Sequence, residues 1–323
     1  MDKRLLVAKP VSVELEKFNV YYRESVFSNN QRIQKVIDHI MKSDGKKIRP
    51  ILLLLAAKAC GEINMLTYNS AITVELLHTA SLIHDDVVDE SFMRRGKPSL
   101  NAVFDNKMAI LVGDYFLSTA LMKAVLTGNI DIISDISSLG RALAEGEITQ
   151  LSLVKEMVLD EEEYFEVIKK KTASLMSTCM KIGAVSAGGT SEEVELFRQL
   201  GEYLGLCFQL RDDIFDYFKD NVGKPTGNDI REGKVTLPLL HALGTVSSDE
   251  RDEILQIMSS KNFTDENVFK LMEFAKTNGG IDYAYQKIES YRNRMEELIS
   301  KIENEDIKEA LYVAIDYIVE RIY

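Results

Sequence analysis

Apolar residues recur every three or four positions along most of this chain, which is the spacing of one face of an α-helix. The pattern predicts five long helices, over residues 11–27, 30–42, 66–89, 107–126 and 193–217. Alternating patterns typical of β-strands are rare and short. Four of the five prolines, Pro50, Pro98, Pro225 and Pro238, fall at the edges of predicted elements. The pattern therefore predicts an all-α protein.

The chain carries no glycine-rich linker and no low-complexity segment that would mark a domain boundary. We therefore expect residues 1–323 to form a single domain, with helices packed around a central cavity. The most irregular stretch is residues 220–233, which is rich in Gly, Asn and Asp. Loops of this length inside compact domains are often functional lids.

An acidic pentad occurs twice, each time at the end of a predicted apolar helix. It reads DDVVD at residues 85–89 and DDIFD at residues 212–216. The first and last aspartates of each pentad are four residues apart, so both carboxylates lie on one helix face, about one turn apart. Like charges at this spacing repel and weaken a helix. A solvated helix end would explain one pentad, whereas two pentads favour a bound cation.

The chemistry of the pentads indicates which cation. Carboxylate oxygens suit a hard divalent ion such as magnesium, which retains water and phosphate oxygens as further ligands. Calcium is the alternative, but the chain has no EF-hand loop with its ladder of ligands and turn glycine. We expect the two pentads to face each other at the mouth of the cavity. Six carboxylates converging there would be very costly to desolvate without a cation.

Basic residues form separate clusters. Lys46 and Arg49 stand at the start of a predicted helix, and Arg94 and Arg95 follow the first pentad. A helix N-terminus and the forked donors of arginine both favour an anion, although a solvated helix start is the alternative. Acidic clusters together with basic clusters suit a magnesium–diphosphate substrate and a second anionic substrate.

Other polar positions are weaker candidates for function. His78 is two helical turns before Asp85, and Gln209 is three residues before Asp212. A structural histidine and a buried or capping amide are the alternatives. Lys171-Thr172 ends a run of lysines, most of which we expect to be solvated. Ser81 and His84 share a helix, but nothing supplies an orienting acid and an oxyanion hole, which argues against a serine hydrolase.

Net charge, the length of apolar runs and the cysteines limit which partners and which cellular compartment we expect. The net charge of −12 opposes general binding to nucleic acid or to anionic membranes. The longest apolar run, residues 51–57, is far shorter than the ~20 residues that cross a bilayer, and the N-terminus has no signal-peptide core. Cys60, Cys179 and Cys207 form no CxxC pair, which fits a reducing compartment. We therefore expect a soluble, cytoplasmic protein without stable membrane insertion.

Several motifs, in this order, resemble those of the trans-isoprenyl diphosphate synthases, the polyprenyl synthetase family. They are GKKIRP from residue 45, ELLHTASLIHDDVVDESFMRRGKPS, GDYF at 113–116, KT at 171–172, FQLRDDIFD and GKPTGNDIREGKVTLP. One departure is Asp44, where relatives often have a second glycine, but Lys46 and Arg49 remain. The resemblance implies an all-α orthogonal bundle, the isoprenoid synthase fold, and a magnesium-dependent enzyme that is usually a homodimer.

The resemblance also implies roles for single residues. Asp85 and Asp89 would ligate two magnesium ions on the allylic diphosphate, and Asp212 would ligate a third. Their support would come from Asp86, Asp213 and Asp216. Isopentenyl diphosphate would be held by Lys46, Arg49, His78 and Arg95. The allylic diphosphate would be held by Arg94, Lys171, Lys224 and Lys234. The developing cation would be faced by Thr172 and Gln209.

Residues before the first pentad bear on product length. Ala80 and Ser81, about one turn before Asp85, are small where short-chain relatives often have an aromatic residue that blocks the growing tail. Candidates deeper along the channel are Leu77 and Val74, with Leu121 and Met122 for its floor. This implies a long-chain product, with octaprenyl diphosphate for a quinone side chain as the central expectation. A farnesyl or geranylgeranyl product is the alternative.

Two other functions are compatible with parts of the sequence but fit it less well. A terpene cyclase or head-to-head prenyl synthase commonly carries one aspartate-rich motif and a different second metal motif, which the two pentads and GKKIRP oppose. A non-catalytic regulatory subunit tends to lose aspartates or the isopentenyl-binding lysine and arginine, and none is lost here. An assay of the purified chain alone would distinguish a synthase from such a subunit.

Overall fold

The computed structural model describes residues 3–42, 45, 47–94, 96–218 and 226–319. Within these ranges nearly all regular structure is helical, and the strands form one short hairpin of β1 (Met93–Arg94) and β2 (Lys97–Pro98). The first helices are α1 (Lys3–Ala8), α2 (Ser12–Val26), α3 (Gln31–Met41), α4 (Ile48–Cys60), α5 (Met65–Val88), α6 (Leu100–Phe104), α7 (Asn106–Val125) and α8 (Ile130–Glu156).

The second half of the chain is helical as well. It contains α9 (Glu161–Ile168), a π-helical turn (Lys169–Ala173), α10 (Ser174–Ser186), α11 (Ser191–Phe215), α12 (Asn228–Arg231), α13 (Leu237–Thr245), α14 (Ser248–Ser259), α15 (Asp265–Thr277), α16 (Gly280–Ser300) and α17 (Glu305–Val319). The prediction of an all-α protein is confirmed. The five predicted helices correspond to α2, α3, α5, α7 and α11, with small differences at their ends.

The chain divides into two compact units. The first unit comprises Met1–Arg141, Leu175–Gly201 and Leu298–Tyr317. The second unit comprises Ala142–Ser174, Glu202–Glu297 and Ile318–Tyr323. The first pentad belongs to the first unit and the second pentad to the second unit. A single domain and a facing arrangement of the pentads stay predictions of the sequence.

Helix α5 lies at the centre of the first unit, where it packs against α2, α4 and α7. Its N-terminus is closed by a capping box, in which the Asn64 side chain accepts hydrogen bonds from the backbone N–H groups of Leu66 and Thr67. Apolar residues on several sides, including Ile72, Val74 and Leu76, are buried. A helix buried in this way is held mainly by packing rather than by intrinsic propensity.

Glycine explains how closely α7 approaches α5. A Cβ atom on Gly113 would lie 2.3 Å from Nε2 of His84, the residue before the first pentad. The His84 ring also contacts the carbonyl oxygen of Ile110 at 3.3 Å and the Asp114 carboxylate at 3.5 Å. The glycine of the GDYF motif is therefore needed structurally, because any side chain there would overlap the His84 ring beside Asp85.

In the second unit, residues of α11 pack beside the π-helical turn. A Cβ atom on Gly205 would lie 2.5 Å from Cα of Ala173, a distance that would require the backbone to move. Leu204, Leu210 and Ile214 are fully buried on the same helix. The π-helical turn, which carries Lys171 and Thr172, is consequently held against α11 one turn before Gln209.

Residues 220–225 of the stretch predicted to be irregular lie outside the described residues, whereas the described part, residues 226–233, contains a helix. Residues 228–231 form the short helix α12, and Gly227 before it has a positive φ of 74°. The Asp216 carboxylate accepts the backbone N–H groups of Asn228 and Asp229, each at 2.9 Å, and so caps this helix. The prediction missed this helix because its cap comes from a residue twelve positions earlier.

One face of α7 is apolar and exposed in the first unit. Leu111, Met122 and Val125 are 65%, 66% and 64% exposed, and Ile110 and Leu121 are exposed beside them. By length and composition alone α7 could span a membrane, which is weak evidence because the core helix of a soluble protein passes the same test. These apolar residues follow one helix face, which they share with the exposed polar residues Asp114 and Ser118.

Candidate active site

The first acidic pentad closes the C-terminal end of α5. The backbone N–H of Asp89 donates to the carbonyl oxygen of Asp85 at 2.8 Å, which confirms that the two residues stack one turn apart. Asp85 is half-buried and Asp89 is exposed. The C-terminal end of a helix already carries a partial negative charge, so two carboxylates there raise the negative potential further. The location favours a bound cation.

The inner aspartate of this pentad has a different environment. Asp86 is 5% exposed, and its carboxylate accepts from the Nε and Nη2 atoms of Arg94 at 2.7 and 2.5 Å. Its carbonyl oxygen accepts from the Asn101 side chain at 3.0 Å. Asp86 therefore holds Arg94, a predicted diphosphate ligand, beside the pentad.

The second pentad repeats this division at the end of α11. Asp212 is exposed, whereas Asp213 is 3% exposed. The Asp213 carboxylate accepts from the Tyr164 hydroxyl on one oxygen and from Nε2 of Gln209, at 2.7 Å, on the other. Asp216 caps α12. In both pentads the first aspartate reaches solvent while the second is fixed by internal partners.

A cavity of about 240 Å³ opens beside the second pentad, within the second unit. It brings together six residues that the sequence singled out, namely Lys171, Thr172, Gln209, Asp212, Asp213 and Lys234. Apolar side chains complete its wall, among them Val154, Val167, Ile168 and Leu240. The cavity therefore combines charged groups with a surface that excludes water.

Several polar side chains of this cavity are held by neighbours. Lys171 pairs with Glu147 and donates to the Gln150 side chain at 2.7 Å. The Thr172 hydroxyl donates to Oε1 of Gln209 at 2.7 Å. Lys234 pairs with Glu232 at 2.5 Å. An anion entering the cavity would find two lysines whose positions are already restricted.

The pKa values of several groups that line this cavity are raised, because the groups are buried and several carboxylates lie close together. Burial and the charge of Asp229 raise the pKa of Asp213 well above its ordinary value. Burial and the neighbouring Asp216 raise the pKa of Asp229 to about 7. Burial, followed by the charge of Asp213, raises the pKa of Tyr164 well above its ordinary value, so this phenol is a hydrogen-bond donor near neutral pH. Excess negative potential of this kind is what a cation would relieve.

A smaller cavity, of about 110 Å³, lies in the first unit. His78 and Arg94 line it together with Asp86 and Gly45. Arg49 stands in the first turn of α4, half-buried, with its carbonyl oxygen 3.0 Å from Sγ of Cys179. The other predicted anion ligands, Lys46, Arg95 and Lys224, lie outside the described residues.

The residues predicted to control product length divide by burial. Ala80 and Leu77 are 2% and 4% exposed, and the place of a Cβ on Gly140 lies 3.9 Å from Cδ1 of Leu77. Ser81 is half-buried, and its hydroxyl donates to the carbonyl oxygen of His78 at 2.9 Å. Among the three, Ser81 has the most open surroundings.

The expected channel floor is not supported. Leu121 and Met122 are 47% and 66% exposed on the outer face of α7, so within this chain they do not line an enclosed channel. The sequence does not identify the floor, because exposed apolar residues repeat with the same helical spacing as buried ones.

The cavity of the second unit, beside Asp212, is also lined by residues that the sequence analysis did not single out. Tyr164 and Asp229 both line it, and Gln150 holds Lys171. Asp229 stands in GNDIREGK, a motif whose lysine alone was singled out. In the sequence, Tyr164 occupies an ordinary apolar position of a helix. Its partner Asp213 is 49 positions away, so no local pattern reveals their hydrogen bond.

Comparison with known proteins decides the family. A family model described as polyprenyl synthetase matches residues 30–274. The chain belongs to the polyprenyl synthetase family. Among the relatives of this family member, the octaprenyl diphosphate synthase of Escherichia coli (strain K12) is 41% identical over 227 residues, which cover 70% of each chain.

Solved structures agree with the family. The geranylgeranyl pyrophosphate synthase of Bacteroides thetaiotaomicron is 43% identical, with a TM-score of 0.86 over 99% of this chain and 100% of that one. A polyprenyl synthase of Caulobacter crescentus CB15, crystallised with calcium and isoprenyl diphosphate, is 31% identical, with a TM-score of 0.91 over 98% of each chain.

These likenesses confirm three expectations, namely the family, the isoprenoid synthase fold and the enzyme class. This member of the polyprenyl synthetase family is a trans-prenyltransferase. The names of its relatives include both geranylgeranyl and octaprenyl synthases, so overall similarity does not decide the length of the product.

Proposed function

We propose that this chain condenses isopentenyl diphosphate with an allylic diphosphate and makes a long-chain, all-trans polyprenyl diphosphate. The observation that carries the proposal is the division within the two pentads. Asp85, Asp89 and Asp212 are accessible at the C-terminal ends of apolar helices, whereas the inner aspartates are bound to internal partners. Carboxylates arranged in this way suit a metal-bound diphosphate.

The residues present fit magnesium. Among the described residues no three His, Cys, Asp or Glu side chains form a closed metal cage. Such partial sites suit an ion that takes one or two carboxylates and completes its shell with substrate phosphate and water. Asp85, Asp89 and Asp212 would hold it, and we propose three ions when substrate is bound. When bound, magnesium supplies charge neutralisation of the leaving diphosphate.

The chain's own residues provide the remaining chemistry. Lys171 and Lys234, with Arg94, would hold the allylic diphosphate, while Arg49 and His78 would hold isopentenyl diphosphate. The allylic C–O bond breaks, and diphosphate departs with the electron pair. The alkene carbon C4 of isopentenyl diphosphate attacks the cation, and the departing diphosphate accepts the proton that is then lost.

The cation must be protected until it is attacked. The oxygen atoms of Thr172 and Gln209 are available to face it from the wall of the cavity. Val154, Val167 and Ile168 exclude water there, which limits capture of the cation as an alcohol. Weakly basic oxygen atoms and a dry wall together favour transfer to the second substrate.

We propose octaprenyl diphosphate, a precursor of a quinone side chain, as the product. The small side chains of Ala80 and Ser81 support a tail that passes α5. A specific observation favours the alternative of a shorter chain, because the solved relative with 43% identity is a geranylgeranyl pyrophosphate synthase. The two proposals differ only in how far the tail extends.

We further propose a cytoplasmic homodimer. A second copy would cover the apolar row of α7, which is otherwise exposed to water. Cys60, Cys179 and Cys207 are all free thiols, as is usual in a reducing compartment.

Incubation with substrates tests the proposal. The purified chain alone is incubated with farnesyl and excess isopentenyl diphosphates, with magnesium and with a chelator, and products are identified by mass spectrometry. We expect magnesium-dependent elongation to octaprenyl diphosphate. A product that stops at geranylgeranyl diphosphate would establish the shorter-chain alternative. No product under any condition would favour a non-catalytic subunit.

A further inference from the structure

A chain of hydrogen bonds crosses the cavity wall of the second unit. It begins at the Tyr164 hydroxyl on α9, which donates to Oδ2 of Asp213. The other carboxylate oxygen, Oδ1, accepts from Nε2 of Gln209 at 2.7 Å. Oε1 of Gln209 then accepts from the Thr172 hydroxyl at 2.7 Å. The far end of this chain consists of the two side chains that we place against the cation.

Tyr164 has no role in the reaction as described so far. Its side chain is 7% exposed, and its hydroxyl is occupied by Asp213. A purely apolar role would not need that hydroxyl, because phenylalanine fills nearly the same volume. A buried hydroxyl is retained at some cost unless it finds a partner. The role of this hydroxyl is therefore to be sought in its partner, Asp213.

We propose that Tyr164 is a positioning residue for prenyl transfer, and that it acts through Asp213 to fix the amide of Gln209. The inference rests on the proposed function, since it concerns the same reaction. With both carboxylate oxygens occupied, Asp213 cannot rotate about its terminal bond without losing a hydrogen bond. The Gln209 amide must then direct its NH₂ group at Asp213 and its oxygen at Thr172.

Without the Tyr164 hydroxyl, the side chains of Asp213 and Gln209 would no longer be held in one orientation. One oxygen of Asp213 would be buried without its donor, which is costly, and the carboxylate would turn to recover a partner. The Gln209 amide would no longer have a fixed orientation, so its NH₂ group could turn toward the cavity. A donor with positive partial charge beside a developing cation would raise the barrier to ionisation.

The test compares two tyrosine variants with the wild-type chain. In Tyr164→Phe we expect kcat to fall roughly 10-fold, while KM for both diphosphates changes less than about 2-fold, because the lost interaction acts on the cation rather than on the diphosphates. Tyr283→Phe is the matched control. The Tyr283 hydroxyl also contacts a carboxylate, Glu161 in the first turn of α9, at 2.8 Å, but Tyr283 does not line the cavity.

The control separates positioning from anchoring of α9. If Tyr164 only anchored this helix, both variants would lower the melting temperature and kcat alike. We expect Tyr283→Phe to keep wild-type kcat. Equal losses in the two variants, or a Tyr164→Phe enzyme with wild-type kcat, would overturn the positioning role. A wild-type chain without activity would instead count against the proposed function.

A double-mutant cycle asks whether Tyr164 acts through Gln209. Gln209→Leu alone should lower kcat, and adding Tyr164→Phe should lower it no further. Losses that multiply would show independent action and would overturn the inference. Should Tyr164→Phe not fold, Asp213→Asn takes its place in the cycle, because asparagine keeps the shape but no longer requires an NH₂ group from Gln209. The same non-additivity is then expected, and independent losses would again overturn the inference.

Discussion

At the scale of single residues, each pentad combines an accessible aspartate with a buried one, and the partners of the buried aspartate differ between the two. Asp86 is fixed by a cation, Arg94, whereas Asp213 is fixed by a phenol and an amide. The first aspartates, Asp85 and Asp212, differ less, since each stands three residues before the end of its helix. The feature that the two pentads share is thus an open carboxylate beside a carboxylate that is already bound.

Asp85→Ala should nearly abolish turnover and leave the fold intact. Removing a metal ligand forfeits several kcal/mol of transition-state stabilisation, which corresponds to a loss of at least ~100-fold in kcat. The metal-free protein should be no less stable, because a negative charge at a helix C-terminus is unfavourable by about 0.3–1 kcal/mol. Steady-state kinetics and urea unfolding measure the two effects.

Asp131→Ala is the matched control for this variant, since it removes an exposed carboxylate from the first turn of α8 in the same unit. It should retain wild-type turnover. An Asp85→Ala enzyme with near-normal activity would show that Asp85 does not bind the metal.

The sequence predicted the open carboxylates but not their buried partners. The four-residue spacing of Asp85 and Asp89 is local, so helical geometry alone places both on one face. Tyr164 and Asp229 belong to the site through contacts between distant parts of the chain, which a local pattern does not contain. The same limit explains why the short helix α12 was missed, since its cap is Asp216.

At the scale of helices, close approach depends on single glycines. Gly113 leaves room for the His84 ring between α5 and α7, and Gly205 lets the π-helical turn touch α11. Each contact places a functional side chain: the first is next to Asp85, and the second sets Thr172 against Gln209. Long periodic helices were predictable, whereas the side chains they bring together depend on these contacts.

Gly205→Ala should destabilise the protein and lower its activity. The added methyl group would meet Cα of Ala173 at 2.5 Å, and because backbone cannot turn aside as a side chain can, overpacking should cost ~1–3 kcal/mol. Displacement of the π-helical turn should also break the hydrogen bond between Thr172 and Gln209. Urea unfolding measures the change in free energy.

The matched control is Gly244→Ala in α13, where nothing lies within 4 Å of the added Cβ. It should raise the free energy of unfolding by roughly 0.4–1 kcal/mol, because alanine restricts the unfolded chain. Opposite signs for the two variants are the expected result. If Gly205→Ala stabilised the protein as well, the close approach of the two helices would be wrong.

Ser81→Phe should shorten the product while catalysis continues. Ser81 lies four residues before Asp85 on α5, about 6 Å along the helix axis, so a phenyl ring would block the tail without touching the pentad. Ala80→Phe should act likewise, but its buried site adds an overpacking cost of about 1–3 kcal/mol. Mass spectrometry of products under excess isopentenyl diphosphate compares the variants with wild type.

Ser137→Phe makes the same change at an exposed position of α8 and should leave the product length unaltered. Full-length product from both Ser81→Phe and Ala80→Phe would mean that the tail does not pass this part of α5.

At the scale of the whole molecule, the apolar row of α7 is a feature that one chain alone does not explain. Leu111→Glu should weaken self-association. A buried charge without a partner costs several kcal/mol, so the dissociation constant of the dimer should rise on the order of 100-fold. Sedimentation equilibrium measures it. Leu5→Glu, at a residue 61% exposed on α1, is the control and should leave the constant unchanged.

A wild-type chain that stays monomeric at all concentrations would contradict the proposed homodimer. The sequence alone suggested a dimer only through family resemblance, because the spacing of Leu111, Met122 and Val125 is the same for a buried face and for an exposed one. Burial in the folded chain is what distinguishes the two.

The π-helical turn has a consequence for how this protein tolerates length changes. Tyr164 and Thr172 are eight residues apart, which in an uninterrupted α-helix would set their side chains roughly 80° apart around the axis. The wider turn rotates less per residue and brings both onto the same cavity. Deleting Lys169 would leave the two positions seven residues apart, which in a regular α-helix is roughly 20° and therefore still one face. The π-helical turn thus accommodates one extra residue without turning either side chain away from the cavity, and a deletion that restores regular α-helical hydrogen bonds should be tolerated here.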